Sequence, residues 1–261
     1  LCYPCDPLPA SLAVRPFSPR YAFTLIPCRT CYNTDAALLE SFGCCDRLAR
    51  VQVKGKQMDY QQIIYEKRDR IGVIRTNRPR YRNAQSRLML EEMDDAFMKA
   101  ERDADIRVVI LQGEGEHFSA GHDLGTPEQQ EDLERRPYPE GTRGHLQMTW
   151  DLFVDCSLRW RDLKKPTIAE VQGYCIFGGY LIASVMDLIV AAEDALFLPS
   201  HLQLFTAPWD LGIRKAKAIL FENRFIPAAE ALELGLVHKV VPREDLAAET
   251  WAQAERIAVN D

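Results

Sequence analysis

The sequence lacks any apolar run approaching the roughly 18 residues of a membrane helix. Its longest candidate, which begins near Tyr180, is broken by Asp187, Glu193 and Asp194. No bilayer span is therefore expected. The chain also lacks a basic excess: 32 Lys and Arg against 38 Asp and Glu give a formal net charge of −6. That balance argues against nucleic acid or an anionic membrane as a general partner, although a local basic patch for phosphate is compatible with it. Cysteine is scarce where a catalytic core would lie. Of 8 cysteines, Cys2, Cys5, Cys28, Cys31, Cys44 and Cys45 precede Met58, leaving only Cys156 and Cys175 beyond it. The two C-x-x-C pairs have zinc-ribbon spacing, but the proline-rich segment between them carries no hairpin signal, so neither a metal site nor a secreted disulfide framework is expected. Residues 1–57 contain no methionine and no sustained periodicity, while Pro4, Pro7, Pro9, Pro16, Pro19 and Pro27 interrupt them. They read as a poorly ordered extension. Arg15, Arg20 and Arg29 allow a cleaved targeting peptide, but the prolines spoil its helix, and a cytoplasmic location is the expectation.

What is present suits a globular enzyme: 47% hydrophobic and 27% charged residues over 261 positions can bury a substantial core. From Met58 onward strand-like and helix-like segments alternate. Ile63 to Tyr65 and Ile71 to Ile74 flank Lys67-Arg68-Asp69-Arg70 as a hairpin. Ser86 is placed to cap a helix whose Met89, Met93, Phe97 and Ala100 share one face. Arg107 to Leu111, Thr167 to Val171 and Leu188 to Ala192 read as buried strands, and Leu146 to Leu163 and Gly178 to Met186 as helices. Trp150, Phe153 and Trp160 are expected in the core. Pro227 and Gly235 bracket a further helix. The alternation predicts an α/β fold with largely parallel strands joined by right-handed crossovers.

Two turns carry the functional signal. His117-Phe118-Ser119-Ala120-Gly121-His122-Asp123-Leu124 follows one strand, and Gly173-Tyr174-Cys175-Ile176-Phe177-Gly178-Gly179 follows another and opens an apolar helix. A pair of such turns can aim two amide N–H groups at one point, as an oxyanion hole requires. These residues, with Asn77-Arg78-Pro79, Asn83-Ala84, Lys165-Pro166, Ala229 to Val237 and Val240-Val241-Pro242, resemble the crotonase (enoyl-CoA hydratase/isomerase) superfamily from Ile63 to about Leu246. The resemblance implies a spiral of ββα units with a C-terminal helical part, here shortened, and a division into an extension (1–57), a crotonase-like core (58–242) and the start of a truncated helical region (243–261). It also implies an acyl-CoA substrate, no cofactor beyond the coenzyme A of that substrate, and a homotrimer or hexamer. By the same resemblance the backbone N–H groups of His122 and Gly178 form the oxyanion hole, Ala120, Asp123 and Leu124 line the coenzyme A, and Arg80 or Arg82 meets a phosphate.

The chemistry departs from that pattern. Hydratases of the family place two glutamates around the substrate; here the first position falls on Leu181 and the second on or near His201. Leucine exchanges no protons. The candidate replacements are His201, whose imidazole titrates near neutrality, Asp210, placed like the carboxylate of some relatives or else capping the next helix, and the His122 imidazole. His145, Asp155 and Tyr180 are expected to be structural. Three functions are consistent with these residues: an acyl-CoA hydratase, isomerase or hydrolase, a silent acyl-CoA binder, or an oligomeric scaffold.

Overall fold

The computed structural model describes residues 59–199 and 206–260. The expectations for residues 1–57, the zinc-spaced cysteines included, and for His201 fall outside the described residues. A six-stranded sheet has the order β1 (Ile63–Arg68), β2 (Ile71–Thr76), β3 (Val108–Gly113), β4 (Thr167–Val171), β6 (Leu188–Ala192), β9 (Lys239–Val241). The first pair is the expected antiparallel hairpin, turning at Asp69 with φ 52°. Every later neighbour is parallel.

The two faces of this sheet explain why its strands read as continuous apolar runs. Ile74, Val109, Leu111, Ala169, Val171, Ile189 and Ala191 enter one core, and the alternate residues Val73, Val108, Ile110, Ile168 and Val190 enter the other. Helix α1 (Arg87–Arg102) covers the first face with Met89, Met93, Phe97 and Ala100, all fully buried. Its start is fixed by Ser86, whose Oγ accepts the Met89 N–H at 3.1 Å. Truncating Phe97 to alanine there would cost about 3–5 kcal/mol. Helix α9 (Leu246–Ala258) covers the other face through Leu246, Ala254 and Ala258.

A second, three-stranded sheet joins β5 (Tyr174–Ile176), β7 (Leu196–Leu198) and β8 (Ile226–Pro227). The residues between Gly173 and Gly178 are therefore a short strand, not one continuous turn. Pro227 belongs to β8 and is the N-cap of α8 (Ala228–Glu233), one position earlier than expected, and Gly235, at φ 79°, follows its end.

The helix expected over 146–163 begins earlier and is composite. After α2 (Pro127–Arg135), α3 (Gly141–Thr149) runs through a six-residue π-helical turn, Trp150–Asp155, into α4 (Cys156–Arg161). Trp160 is core, 5.1 Å from Phe97 between ring centroids, with its Nε1 donating to Asp94 at 3.0 Å. Trp150 is not core, being 58% exposed. Helices α5 (Gly178–Ser184), α6 (Ala207–Leu211) and α7 (Ile213–Glu222) complete the set. Among the described residues, no helix is long and apolar enough to cross a membrane.

Candidate active site

The first turn is held from both sides. Ser119 donates its N–H to Tyr174 O at 2.9 Å and accepts that of Ile176 at 3.0 Å, which fastens the loop to β5. On the other side Gln85 N donates to Gly121 O at 2.8 Å and Gln85 O accepts from Asp123 N at 2.9 Å. Because Gln85 bonds the residues on either side of His122, the pairing geometry turns the N–H of His122 itself to the opposite edge. Gly121 supplies the required backbone, with φ 99°.

The Asn83-Ala84 motif is the brace beneath this loop. Asn83, fully buried, donates from Nδ2 to Glu114 O and His117 O at 2.9 and 2.8 Å and accepts the Arg78 N–H at 2.9 Å. Ser119 Oγ donates to Asn83 O at 2.8 Å and accepts the Gly121 N–H at 3.2 Å.

The second turn ends at Phe177, whose φ of 46° and ψ of −102° lie in a region that favours glycine. The next residue, Gly178, begins α5, so its N–H has no acceptor within the helix. The two turns touch here. A Cβ added to Gly121 would lie 3.3 Å from Gly178 N, and a Cβ on Gly178 would lie 2.5 Å from Gln85 Oε1, 2.7 Å from His122 Cε1 and 2.8 Å from His122 Nδ1. Any side chain at 178 would have to displace all three. The His122 ring packs on Phe153, centroids 3.8 Å apart at 34°, and both its nitrogens are shielded from solvent. Phe153 thus serves the site from the π-helical turn, where the sequence had suggested only core.

The residues expected along coenzyme A are placed unevenly. Leu124 is almost fully exposed, and Ala120 is half-buried with its N–H on Arg82 O at 2.9 Å. The Asp123 carboxylate is enclosed. It takes Arg78 Nη1 at 2.8 Å, the Thr126 N–H at 2.8 Å and Thr126 Oγ1 at 2.6 Å. Those bonds outweigh its desolvation and hold its pKa below the ordinary carboxylate value. Its side chain therefore serves the loop, and only its backbone is left for a ligand. Arg80 and Arg82 are exposed, the former 5.3 Å from the Tyr81 ring and the latter 6.0 Å from that of Tyr174. No local sequence signal points to the buried Arg78–Asp123 pair, whose side chains are 5% and 1% exposed. Its members are 45 residues apart, so no local period links them.

Of the proton-transfer candidates, Leu181 is buried in the first turn of α5. Asp210 lies within α6 and is not the cap of the next helix, because Gly212 occupies that position. Burial raises its carboxyl to about 6, against the opposing effect of the Thr206 and Tyr180 hydroxyls. Ser184 Oγ and Thr206 Oγ1, 2.8 Å apart, tie α5 to the start of α6. Tyr180 and Ser184 share a face of α5 about 60–100° round from Leu181, and it is this face that Asp210 meets, beside a cavity of about 230 Å³ that also reaches His238. Burial and the Asp210 charge push the Tyr180 hydroxyl up. His145 is exposed, and Asp155 is paired with Arg159. Among the described residues, no cluster of three or more His, Cys, Asp or Glu is arranged to hold a metal.

A parallel-stranded α/β fold whose two loops meet at a helix start defines the class. The sequence profile of the enoyl-CoA hydratase/isomerase family matches residues 66–261, and the chain belongs to this family. It is 38% identical over 239 residues to EchA13 of Mycobacterium tuberculosis, provisionally described as an enoyl-CoA hydratase, a match spanning 83% of this chain and 74% of that protein. It is 32% identical over 202 residues to a probable mitochondrial enoyl-CoA hydratase of Dictyostelium discoideum, covering 74% and 68%. Its fold is similar to the crystal structure of a probable enoyl-CoA hydratase from Mycobacterium smegmatis, with a TM-score of 0.70, 40% identity and coverage of 78% and 81%.

Proposed function

We propose that the chain is an enzyme that binds acyl-CoA thioesters with the carbonyl oxygen between the amides of His122 and Gly178 and stabilises a thioester enolate or oxyanion there. The observation that carries this is the contact of the two turns at Gly178, where Gln85 and His122 leave no room for a Cβ. Fixed amide donors at a developing negative charge act without reorganising, and that is the largest single contribution available to such a site. Coenzyme A enters as part of the substrate, with Ala120, Leu124 and the Asp123 backbone beside it and Arg80 or Arg82 at a phosphate. The same reading takes in assembly into a trimer or hexamer, which the family resemblance suggests, and a cytoplasmic location.

The proton-transfer apparatus differs from the two-glutamate arrangement. With Leu181 at the first position, hydration of crotonyl-CoA should run about 10²–10⁴-fold slower than in a two-glutamate relative, because one positioned proton-transfer group is missing. The remaining groups are His201, Asp210 and the His122 imidazole. A panel of enoyl-, β-keto- and aryl-CoA thioesters, assayed with the wild type and with His201→Ala, Asp210→Asn and His122→Ala singly, separates them. Turnover of a panel member that falls with one of the three assigns the proton transfer. Acyl-CoA binding without turnover of any would make the protein a silent binder, and absence of acyl-CoA binding would sink the proposal.

A further inference from the structure

Gln85 is 2% exposed, yet its two side-chain ends are used unequally. Ser119 Oγ lies 3.3 Å from Nε2. Since Ser119 gives its only proton to Asn83 O, the Gln85 atom facing it must be a donor, which fixes the amide with Nε2 toward Ser119. Oε1 is then turned the other way, buried and without a hydrogen-bond partner among the described residues. It faces the spot beside Gly178 that the Cε1–Nδ1 edge of the His122 imidazole also faces. A buried acceptor left unpaired is costly, so a donor is wanted there. A substrate carbonyl oxygen, itself an acceptor, cannot be that donor, whereas an imidazole N–H can.

Resting on the acyl-CoA reading above, we propose that Gln85 is a positioning residue for His122: Oε1 accepts the Nδ1–H of the imidazole and leaves Nε2 to exchange protons with the acyl group. In the forward step the substrate C–H bond breaks, an N–H bond forms at Nε2, and the electron pair moves onto the thioester oxygen between the two amides. Return of the proton to a carbon of the enolate regenerates the neutral ring. Phe153 completes the placement by covering the ring face. Hydrogen bonds of this kind are often long in a ligand-free site and tighten once it is filled.

Among the described residues, the charged and titratable groups on the elements packed here are placed as follows. On its own loop Asp123 is held by Arg78; near residue 85, Arg87 lies over the Tyr138 ring at 4.2 Å and Arg82 lies near the ring of Tyr174. On the π-helical turn Asp155 is paired with Arg159, and Asp151 is the other carboxylate of that turn; on α5 the titratable Tyr180 is coupled to Asp210.

The test is the NMR titration of the His122 imidazole in the full chain, compared between the wild type, Gln85→Leu, Gln85→Met and Gln85→Glu. The apolar variants should lower the midpoint and the glutamate should raise it by about one pH unit or more, since an acceptor, and more so an anion, favours the protonated ring. The acidic limb of the pH-rate profile should move with it while KM stays constant. Equal midpoints in all folded variants would overturn the proposal, as would wild-type turnover in His122→Ala. The titration needs neither substrate nor turnover, so its failure is distinct from a failure to bind acyl-CoA.

Discussion

The two halves of the proposed site, the one read as holding a carbonyl and the one read as moving protons, are built differently. The loop 119–123 and the start of α5 are fixed by backbone bonds on both flanks, by the Asn83 brace and by the Arg78–Asp123 pair. The side read as moving protons has a buried Leu181 where the family resemblance leads one to expect an acid, and Asp210, on α6, meets a different face of α5. Stabilising charge on a carbonyl oxygen is a demand shared by every reaction that passes through an enolate or oxyanion, so its geometry can be kept while the acid and base change. The contrast separates what the fold supplies to any thioester reaction from what selects a particular one.

The largest effect should come from breaking the first half. Gly178→Val places carbon where Gln85 and His122 already sit and should lower turnover on any substrate found by about 10²–10³-fold, the loss typical of one oxyanion donor. Unchanged turnover would mean that the amide of Gly178 takes no part. Next is the brace. Arg78→Met removes one member of a buried pair and should cost about 3 kcal/mol in urea unfolding, with Asp123 left to Thr126 and the Gly125 N–H. A loss below about 1 kcal/mol would show that the loop holds without it.

Much of this was legible in the sequence. The hairpin, the Ser86 cap and the face of Met89, Met93, Phe97 and Ala100 follow from period and capping, because two long apolar faces need many consecutive residues to form. The strands β5 and β7 were not legible: three residues are too few to show alternation, and β5 lies between glycines that suggest a turn. Phe153 at the site was hidden as well, because it is the π-helical turn that points an otherwise core-like aromatic at His122. Gln85, one position ahead of the Ser86 cap, carries no local signal. Only the meeting of two distant turns gives its side chain a place.

Smaller effects sharpen the proton-transfer half. Burial holds Asp210 protonated to a higher pH in the folded chain, about 6 against an ordinary 3.8, so the folded state binds more protons than the unfolded one between those values. Stability from this residue is therefore lost as pH rises through that window, and at pH 7 the fold carries the cost of a buried charge. Asp210→Asn should stabilise the chain at pH 7 by about 1–2 kcal/mol after allowance for partial exposure, and the gain should vanish near pH 3.5. Paired melts at the two pH values would show it, and a gain equal at both would contradict the burial argument. A stabilised but slower variant would mark Asp210 as a functional group kept at a cost to the fold. Smallest is Phe177→Gly, which relieves a backbone conformation that side chains avoid and should raise stability by up to about 1 kcal/mol, partly offset by the freer unfolded chain. A loss of stability would mean that the packing of the ring outweighs the strain.

The most direct test of the oxyanion hole is isotope-edited infrared spectroscopy of an acyl-CoA with a ¹³C-labelled thioester carbonyl, bound to the wild type and to Gly178→Val. Two amide donors on the oxygen should shift the carbonyl stretch to lower frequency than in water, and the shift should disappear in the variant. A bound thioester whose carbonyl absorbs in the wild type as it does in water would contradict the account.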